Sequence, residues 1–147
     1  MNEVIGIDHI YLTVSNLARS EAFYDRVFLG ILGFRRNEFA LDGERHVQYY
    51  NRQFGLVLRP ARTSAGHDAY APGLHHLCLR VESAEEVRDI AARLRDAGLE
   101  ASAAAHLPEY APDYWATYFS DPDGIRLEIT NYRQERRDRH DRWETLG

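Results

Sequence analysis

Lysine is absent from the 147-residue chain, whose 18 basic residues are all arginine. Schiff-base chemistry and lysine general bases are thereby excluded. A single cysteine, Cys78, excludes an internal disulfide framework and all-thiolate zinc sites, and it fits a reducing compartment. No apolar run approaches the roughly 20 residues that a membrane-spanning helix needs. The first residues carry no basic stretch leading into an apolar one, so a cytoplasmic protein with no membrane partner is expected. Positive charge is not in excess either. The formal net charge is −5, whereas nucleic-acid surfaces are normally basic, and no nucleic-acid partner is expected. What remains is an ordinary globular composition, 44% hydrophobic and 28% charged, in a length that suits one domain with a real core.

The chain is written twice. Gly6-Ile-Asp-His-Ile-Tyr-Leu-Thr-Val14 and Gly73-Leu-His-His-Leu-Cys-Leu-Arg-Val81 superpose with His9 on His76, Leu12 on Leu79 and Val14 on Val81. A helical pattern follows each strand. The first opens at the cap-type residue Ser15 and carries Leu17, Phe23, Val27 and Phe28 before Gly33. In the second, Ser83 and Glu86 form a capping box, Val87, Ile90, Ala91 and Leu94 make one stripe, and Gly98 stops the helix. Strand-like stretches come next, at Arg45–Asn51 and Gly55–Pro60, then at Tyr114–Ser120 and Gly124–Asn131, the last two joined by an Asp121-Pro-Asp-Gly124 turn. The spacing predicts an α+β fold: two βαβββ modules forming a cupped mixed β-sheet with helices outside. The modules span about residues 4–60 and 73–132 of one domain, with a linker at 61–72 and a solvated charged tail at 133–147 in which Trp143 docks on the body.

Side chains alternate faces along a strand. His9, Tyr11 and Thr13 share one face, as do His76, Cys78 and Arg80, and Arg126, Glu128 and Thr130; aliphatic residues take the other. A core is not built from His, Arg and Glu, so these faces line a hollow. A lone strand histidine is more often a hydrogen-bonded structural residue than a ligand. Here two stand at equivalent repeat positions with Glu128 in phase, which points to a 2-His-1-carboxylate metal site of His9, His76 and Glu128. Tyr118 and Arg126 are candidate assisting catalytic residues, as hydrogen-bond donor and as anion-binding cation, and with Tyr11 they are candidate substrate contacts. Tyr50, Tyr110, Tyr114 and Trp115 are candidates for an aromatic wall. His46, His67, His106 and His140 read as surface histidines, and Cys78 as a buried filler.

The runs Ile7-Asp-His-Ile-Tyr-Leu-Thr-Val14, Leu74-His-His-Leu-Cys-Leu-Arg-Val81 and Tyr118-Phe-Ser-Asp-Pro-Asp-Gly-Ile-Arg-Leu-Glu-Ile129 resemble the vicinal oxygen chelate superfamily of glyoxalases, bleomycin-resistance proteins and extradiol dioxygenases. The resemblance covers about Val4 to Tyr132. It implies two modules cupped around a metal, within a chain or across a homodimer, with His9, His76 and Glu128 matching the family ligands and His75 on the outer face or behind the ligands. The fourth ligand of glyoxalase I types has no counterpart, because Gly55–Pro60 offers no carboxylate. Tyr118, Asp121, Pro122, Gly124 and Glu128 match an extradiol signature, although His106 lies further upstream than that pattern wants. The resemblance implies a divalent ion, Fe(II) or Mn(II) ahead of Zn(II) or Ni(II). It also implies a small substrate chelated through vicinal oxygens, a dioxygenase-type reaction being favoured. A glyoxalase-like isomerase, a thiol transferase and a non-catalytic drug- or metabolite-sequestering protein are the alternatives.

Overall fold

The computed structural model describes residues 2–146. The chain runs β1 (His9–Val14), α1 (Leu17–Tyr24), β2 (Arg35–Leu41), β3 (Glu44–Tyr50), β4 (Gly55–Pro60), β5 (His76–Val81), α2 (Ala84–Asp96), β6 (Ala105–His106), β7 (Trp115–Ser120), β8 (Arg126–Asn131) and α3 (Gln134–Asp141). The βαβββ order is thus repeated. The strands form two four-stranded mixed sheets, ordered β1-β4-β3-β2 and β5-β8-β7-β6. In each, the first strand lies parallel to the last and the other pairs are antiparallel. The chain divides into two compact units, one reaching His67 and including Asp121–Gly124, the other comprising Asp68–Ser120 and the chain from Ile125 onward. No helix among the described residues is long and apolar enough to cross a membrane.

In the first unit, strand alternation sends Leu12, Val14, Val47, Tyr49, Leu56 and Leu58 into the core, where Phe23, Tyr24, Val27 and Phe28 meet them. The cap of α1 is Asn16, whose side chain accepts from Arg19 N–H at 3.0 Å. Ser15 instead donates its backbone N–H to Asp123 Oδ2 at 3.0 Å. The helix does not run regularly to Gly33. A π-helical turn takes over at Asp25–Leu29, with N–H groups of Gly30 and Leu32 bonding back to Asp25 and Val27; the wider turn keeps Val27 and Phe28 both fully buried. Asp121–Gly124, the turn that joins β7 to β8 along the chain, belongs to this unit, with Tyr24 Oη donating to Asp121 Oδ2 at 3.0 Å.

His46 does not lie on the surface. It sits on β3, an inner strand, where it is fully buried, stacked on Phe39 and edge-on to Tyr11. Its Nδ1 lies 2.9 Å from the Glu44 carbonyl, and its Nε2 has no hydrogen-bond partner among the described residues.

In the second unit, Ser83 caps α2 by accepting from Glu86 N–H at 3.2 Å, and Glu86 reaches back to Glu82 N–H at 2.7 Å. Val87, Ile90, Ala91 and Leu94 are buried as the stripe requires, and Gly98 ends the helix at φ +80°. Two expectations are corrected. Cys78 is exposed, because β5 is an edge strand and Cys78 is on its open side. The tail is not simply solvated: Arg133 is buried over the Tyr114 ring, and Arg137 pairs with Glu82, while Trp143 is 59% exposed rather than docked.

Candidate functional site

The second unit assembles a compact polar cluster on the open face of its sheet. Parallel pairing sets Cys78 opposite Glu128 and His76 opposite Arg126, and antiparallel pairing sets Tyr118 opposite Glu128. Residues directly opposite one another project to the same side. Glu128 is therefore central, on an inner strand, and only 2% of it is exposed. Its two oxygens have separate partners: His76 Nε2 lies 3.1 Å from Oε2, and Tyr114 Oη donates to Oε1 at 2.5 Å. A buried carboxylate needs such partners, since an unpaired one would carry the full cost of desolvation.

The surrounding groups are set by this carboxylate. Burial, and then the neighbouring Glu128 charge, push the Tyr118 phenol up to about 12. Tyr114 is also raised, by desolvation and by its bond to Glu128. Both tyrosines thus remain protonated at neutral pH and act as donors rather than bases. Partial desolvation and Glu128 likewise push the Cys78 thiol up to about 12, so Cys78 is not a ready thiolate nucleophile. The Arg126 guanidinium lies 4.6 Å from the centre of the Tyr118 ring. Arg133 braces Tyr114 from 4.5 Å and donates to Thr130 Oγ1 at 3.3 Å. Behind His76, His75 Nδ1 lies 2.7 Å from His76 Nδ1, and the Tyr70 ring meets His75 edge-on.

In the first unit, His9 is exposed on the open side of β1, and its Nδ1 lies 2.6 Å from Asp8 Oδ2. Tyr11 packs edge-on to His9, with ring centres 5.5 Å apart. Gly55 faces His9 across β1–β4, and a Cβ at Gly55 would meet the Gln48 side-chain amide at 2.6 Å and His9 Cβ at 3.7 Å. The missing side chain at Gly55 leaves the room that the Gln48 amide occupies. An open recess of about 420 Å³ adjoins them, walled by Asp8, Asn37, Gln48, Tyr50, Arg52 and Phe54.

Of the residues singled out from the sequence, the structure thus brings together His76, Glu128, Tyr118 and Arg126, and places His9 and Tyr11 side by side in the other unit. No three His, Cys, Asp or Glu side chains among the described residues converge into a metal-ion site. His67, His106 and His140 are exposed, His106 stacking on Trp115. Tyr114 as the Glu128 donor, Asp8 and Arg133 are the contributors that strand patterns alone did not single out. Tyr114 had a signal, since it shares the alternation of Tyr118 along the strand.

The chemistry of the second-unit donors fits a divalent transition ion. Imidazole and carboxylate are ligand types that suit such an ion, and His76 and Glu128 would be the residues of this unit to hold it, their Nε2 and Oε2 atoms lying 3.1 Å apart at hydrogen-bonding distance.

Two βαβββ modules, each opening on a strand headed by a histidine, with a buried glutamate on the closing strand of the second, define a class of open-sheeted α+β proteins. The chain belongs to the Glyoxalase/Bleomycin resistance protein/Dioxygenase superfamily, whose family model matches residues 6–129. Among solved structures it resembles a glyoxylase/bleomycin resistance protein/dioxygenase domain from Frankia sp. EAN1pec, at 26% identity and a TM-score of 0.73 over 89% of this chain and 100% of that one. A lactoylglutathione lyase from Agrobacterium tumefaciens shares the fold at 22% identity and a TM-score of 0.66, over 88% of this chain and 96% of that one. The fosfomycin resistance protein FosX from Listeria monocytogenes, in complex with Mn(II) and sulfate, does so at 18% identity and a TM-score of 0.62, over 92% and 98%. No curated protein matches the sequence.

Proposed function

We propose that the protein is a metal-dependent enzyme acting on a small molecule that presents two adjacent oxygens, with His9, His76 and Glu128 as the metal ligands. The observation that carries this reading is the His76–Glu128 pair: a carboxylate 2% exposed, held 3.1 Å from an imidazole on an open sheet face. Fe(II) or Mn(II) is favoured over Zn(II) or Ni(II), and a dioxygenase-type reaction over isomerisation or thiol transfer. The Tyr118-x-x-Asp-Pro-x-Gly124-x-x-x-Glu128 run supports that order. The protein is expected to work as a homodimer.

When bound, the ion supplies Lewis acidity and open positions for substrate oxygens. The chain's own residues do the rest. Tyr114 holds Glu128 by one oxygen and so orients the other toward His76. Tyr118, kept protonated, donates a hydrogen bond to a substrate oxygen that gains negative charge. Arg126, beside the Tyr118 ring, offers a cation to the same oxygen. Tyr11 contributes an aromatic wall next to His9.

The test is elemental analysis of protein purified anaerobically without chelator, beside His9→Ala, His76→Ala and Glu128→Ala. Near-stoichiometric metal that each substitution removes is the expected result. A wild-type protein that takes up none of Mn(II), Fe(II), Zn(II) or Ni(II) on reconstitution overturns the reading in favour of a metal-independent, sequestering protein.

A further inference from the structure

Each candidate ligand histidine has its Nδ1 within hydrogen-bonding distance of the side chain of the residue that precedes it. Asp8 Oδ2 lies 2.6 Å from His9 Nδ1, and His75 Nδ1 lies 2.7 Å from His76 Nδ1. The two pairs occupy equivalent positions of the repeat, Asp8-His9 and His75-His76, although one partner is an acid and the other an imidazole. Successive strand residues normally point to opposite faces. Both pairs sit at or just before the first residue of β1 and β5, where the backbone leaves the ladder and neighbouring side chains can meet. The same arrangement arising twice, through different chemistry, indicates a common task.

We infer that Asp8 and His75 are positioning residues that fix the ring orientation and tautomer of His9 and His76, so that each presents Nε2 to a divalent cation; this rests on the metal reading above. The two act differently. A carboxylate only accepts, so it draws the proton of a neutral His9 onto Nδ1 and leaves the Nε2 lone pair free. A partner on the second ring nitrogen is the usual way in which a metal-binding histidine is aimed. His75 both donates and accepts. Where Nε2 of His76 carries the proton, it donates to Glu128 Oε2, 3.1 Å away, and His76 Nδ1 then accepts from His75 Nδ1–H. A cation on His76 Nε2 requires the reverse, His76 Nδ1–H donating to an unprotonated His75 Nδ1, with the His75 proton now on Nε2. Each ring carries one proton before and after, so His76 changes tautomer with no net proton loss. An acid in place of His75 would not allow the first state, and an apolar residue would support neither.

Because Asp8 and His75 are both exposed, their substitution leaves the core untouched. The experiment measures Mn(II) affinity by titration calorimetry for wild type, Asp8→Ala, Asp8→Asn, His75→Ala and His75→Gln. It also records nitrogen-15 imidazole spectra of the metal-free proteins. Expected are a roughly 10–100-fold loss of Mn(II) affinity in both alanine variants, partial recovery in Asp8→Asn and His75→Gln, and loss of the Nδ1–H tautomer of His9 in Asp8→Ala. Mn(II) affinities of the alanine variants within twofold of a metal-binding wild type overturn the inference. So does a His9 tautomer that is unchanged in Asp8→Ala. A wild type that binds none of Mn(II), Fe(II), Zn(II) or Ni(II) overturns the metal reading instead, and it is told apart because the tautomer spectra need no metal.

Discussion

Replacing Tyr114 with phenylalanine isolates one of the two contacts that hold the buried carboxylate of Glu128. The hydroxyl of Tyr114 donates to Glu128 Oε1 at 2.5 Å, and Glu128 is 2% exposed. The phenylalanine ring keeps the Arg133 stacking contact at 4.5 Å, so the substitution removes one donor and little packing. A hydrogen bond to a charged group contributes about 1.5–3 kcal/mol. For a chain of this size each kcal/mol moves Tm by about 2–4 °C, giving a fall of about 3–12 °C. Tyr114 is itself only half-buried, so water replaces part of the lost donor, and a fall of about 3–7 °C is expected. Calorimetry of the metal-free protein at neutral pH reads it, with Tyr110→Phe, at a residue 65% exposed, as the control. In a Glu128→Gln background the same change removes only a neutral hydrogen bond, of about 0.5–1.5 kcal/mol, so the two effects must be non-additive. A Tyr114→Phe protein melting with wild type, or losing as much stability without the Glu128 charge as with it, would refute the account of Glu128 as an anion held by Tyr114.

Acid should weaken the first unit through Glu21. Hydrogen bonds from Arg45 at 2.7 and 2.8 Å, only partly opposed by burial, hold its carboxyl below the ordinary 4.5. A depressed carboxylate stabilises the folded chain fully above about 4.5 and loses that contribution as pH falls through the lowered value; urea melts should show the advantage of wild type over Arg45→Gln shrinking on that descent, and a constant gap would count against it. Gly98→Ala places a Cβ at φ +80° and should cost about 1–2 kcal/mol in the same melts, the space around it being open, so an unchanged midpoint would show that strain is relieved elsewhere. Leu94→Ala, at a fully buried α2 position, should cost about 2–5 kcal/mol, and a smaller loss would mean that the helix settles into the cavity.

Much of this arrangement is legible in strand alternation and caps. His76, Glu128, Tyr118 and Arg126 meet because period-two phasing and the Asp121–Gly124 turn put them on one face, and both facts stand in the sequence. Ser83 and Gly98 bound α2 for local reasons that need no tertiary context. What alternation does not carry is a strand's place in the sheet. His46 and Cys78 differ from what alternation predicts for that reason: β3 is interior and buries its histidine, whereas β5 is an edge and exposes its thiol. The Arg133 contact with Tyr114 depends on how the chain leaves β8, and the Asp8 and His75 contacts on how it enters β1 and β5. Such junctions have no period to read. The π-turn after α1 is likewise a tertiary outcome, since it lets two adjacent residues, Val27 and Phe28, reach one core.

The registers of the two sheets also show what duplication kept and what it let diverge. His9 faces Gly55 as His76 faces Arg126; two residues on, Tyr11 faces Val57 as Cys78 faces Glu128. Val57 is therefore the first-unit counterpart of Glu128. Gln48, paired with Val57, is the counterpart of Tyr118, paired with Glu128. At matched positions the second unit carries an acid, a cation and a phenol, where the first carries valine, glycine and an amide. On this open face only the histidines are common. Val57 is 2% exposed, and its directly paired neighbours are Tyr11 and Gln48, with no histidine opposite it to match the His76 that contacts Glu128. Under the proposed ligation this asymmetry sets the charge of the centre. Two neutral imidazoles and one carboxylate would leave a divalent ion with a net positive charge, which Tyr118 and Arg126, on the same sheet face as Glu128, would reinforce. A second carboxylate would cancel that charge where a substrate oxygen becomes anionic. With valine at position 57, that ligation would favour stabilising an anion over supplying a second acid–base group.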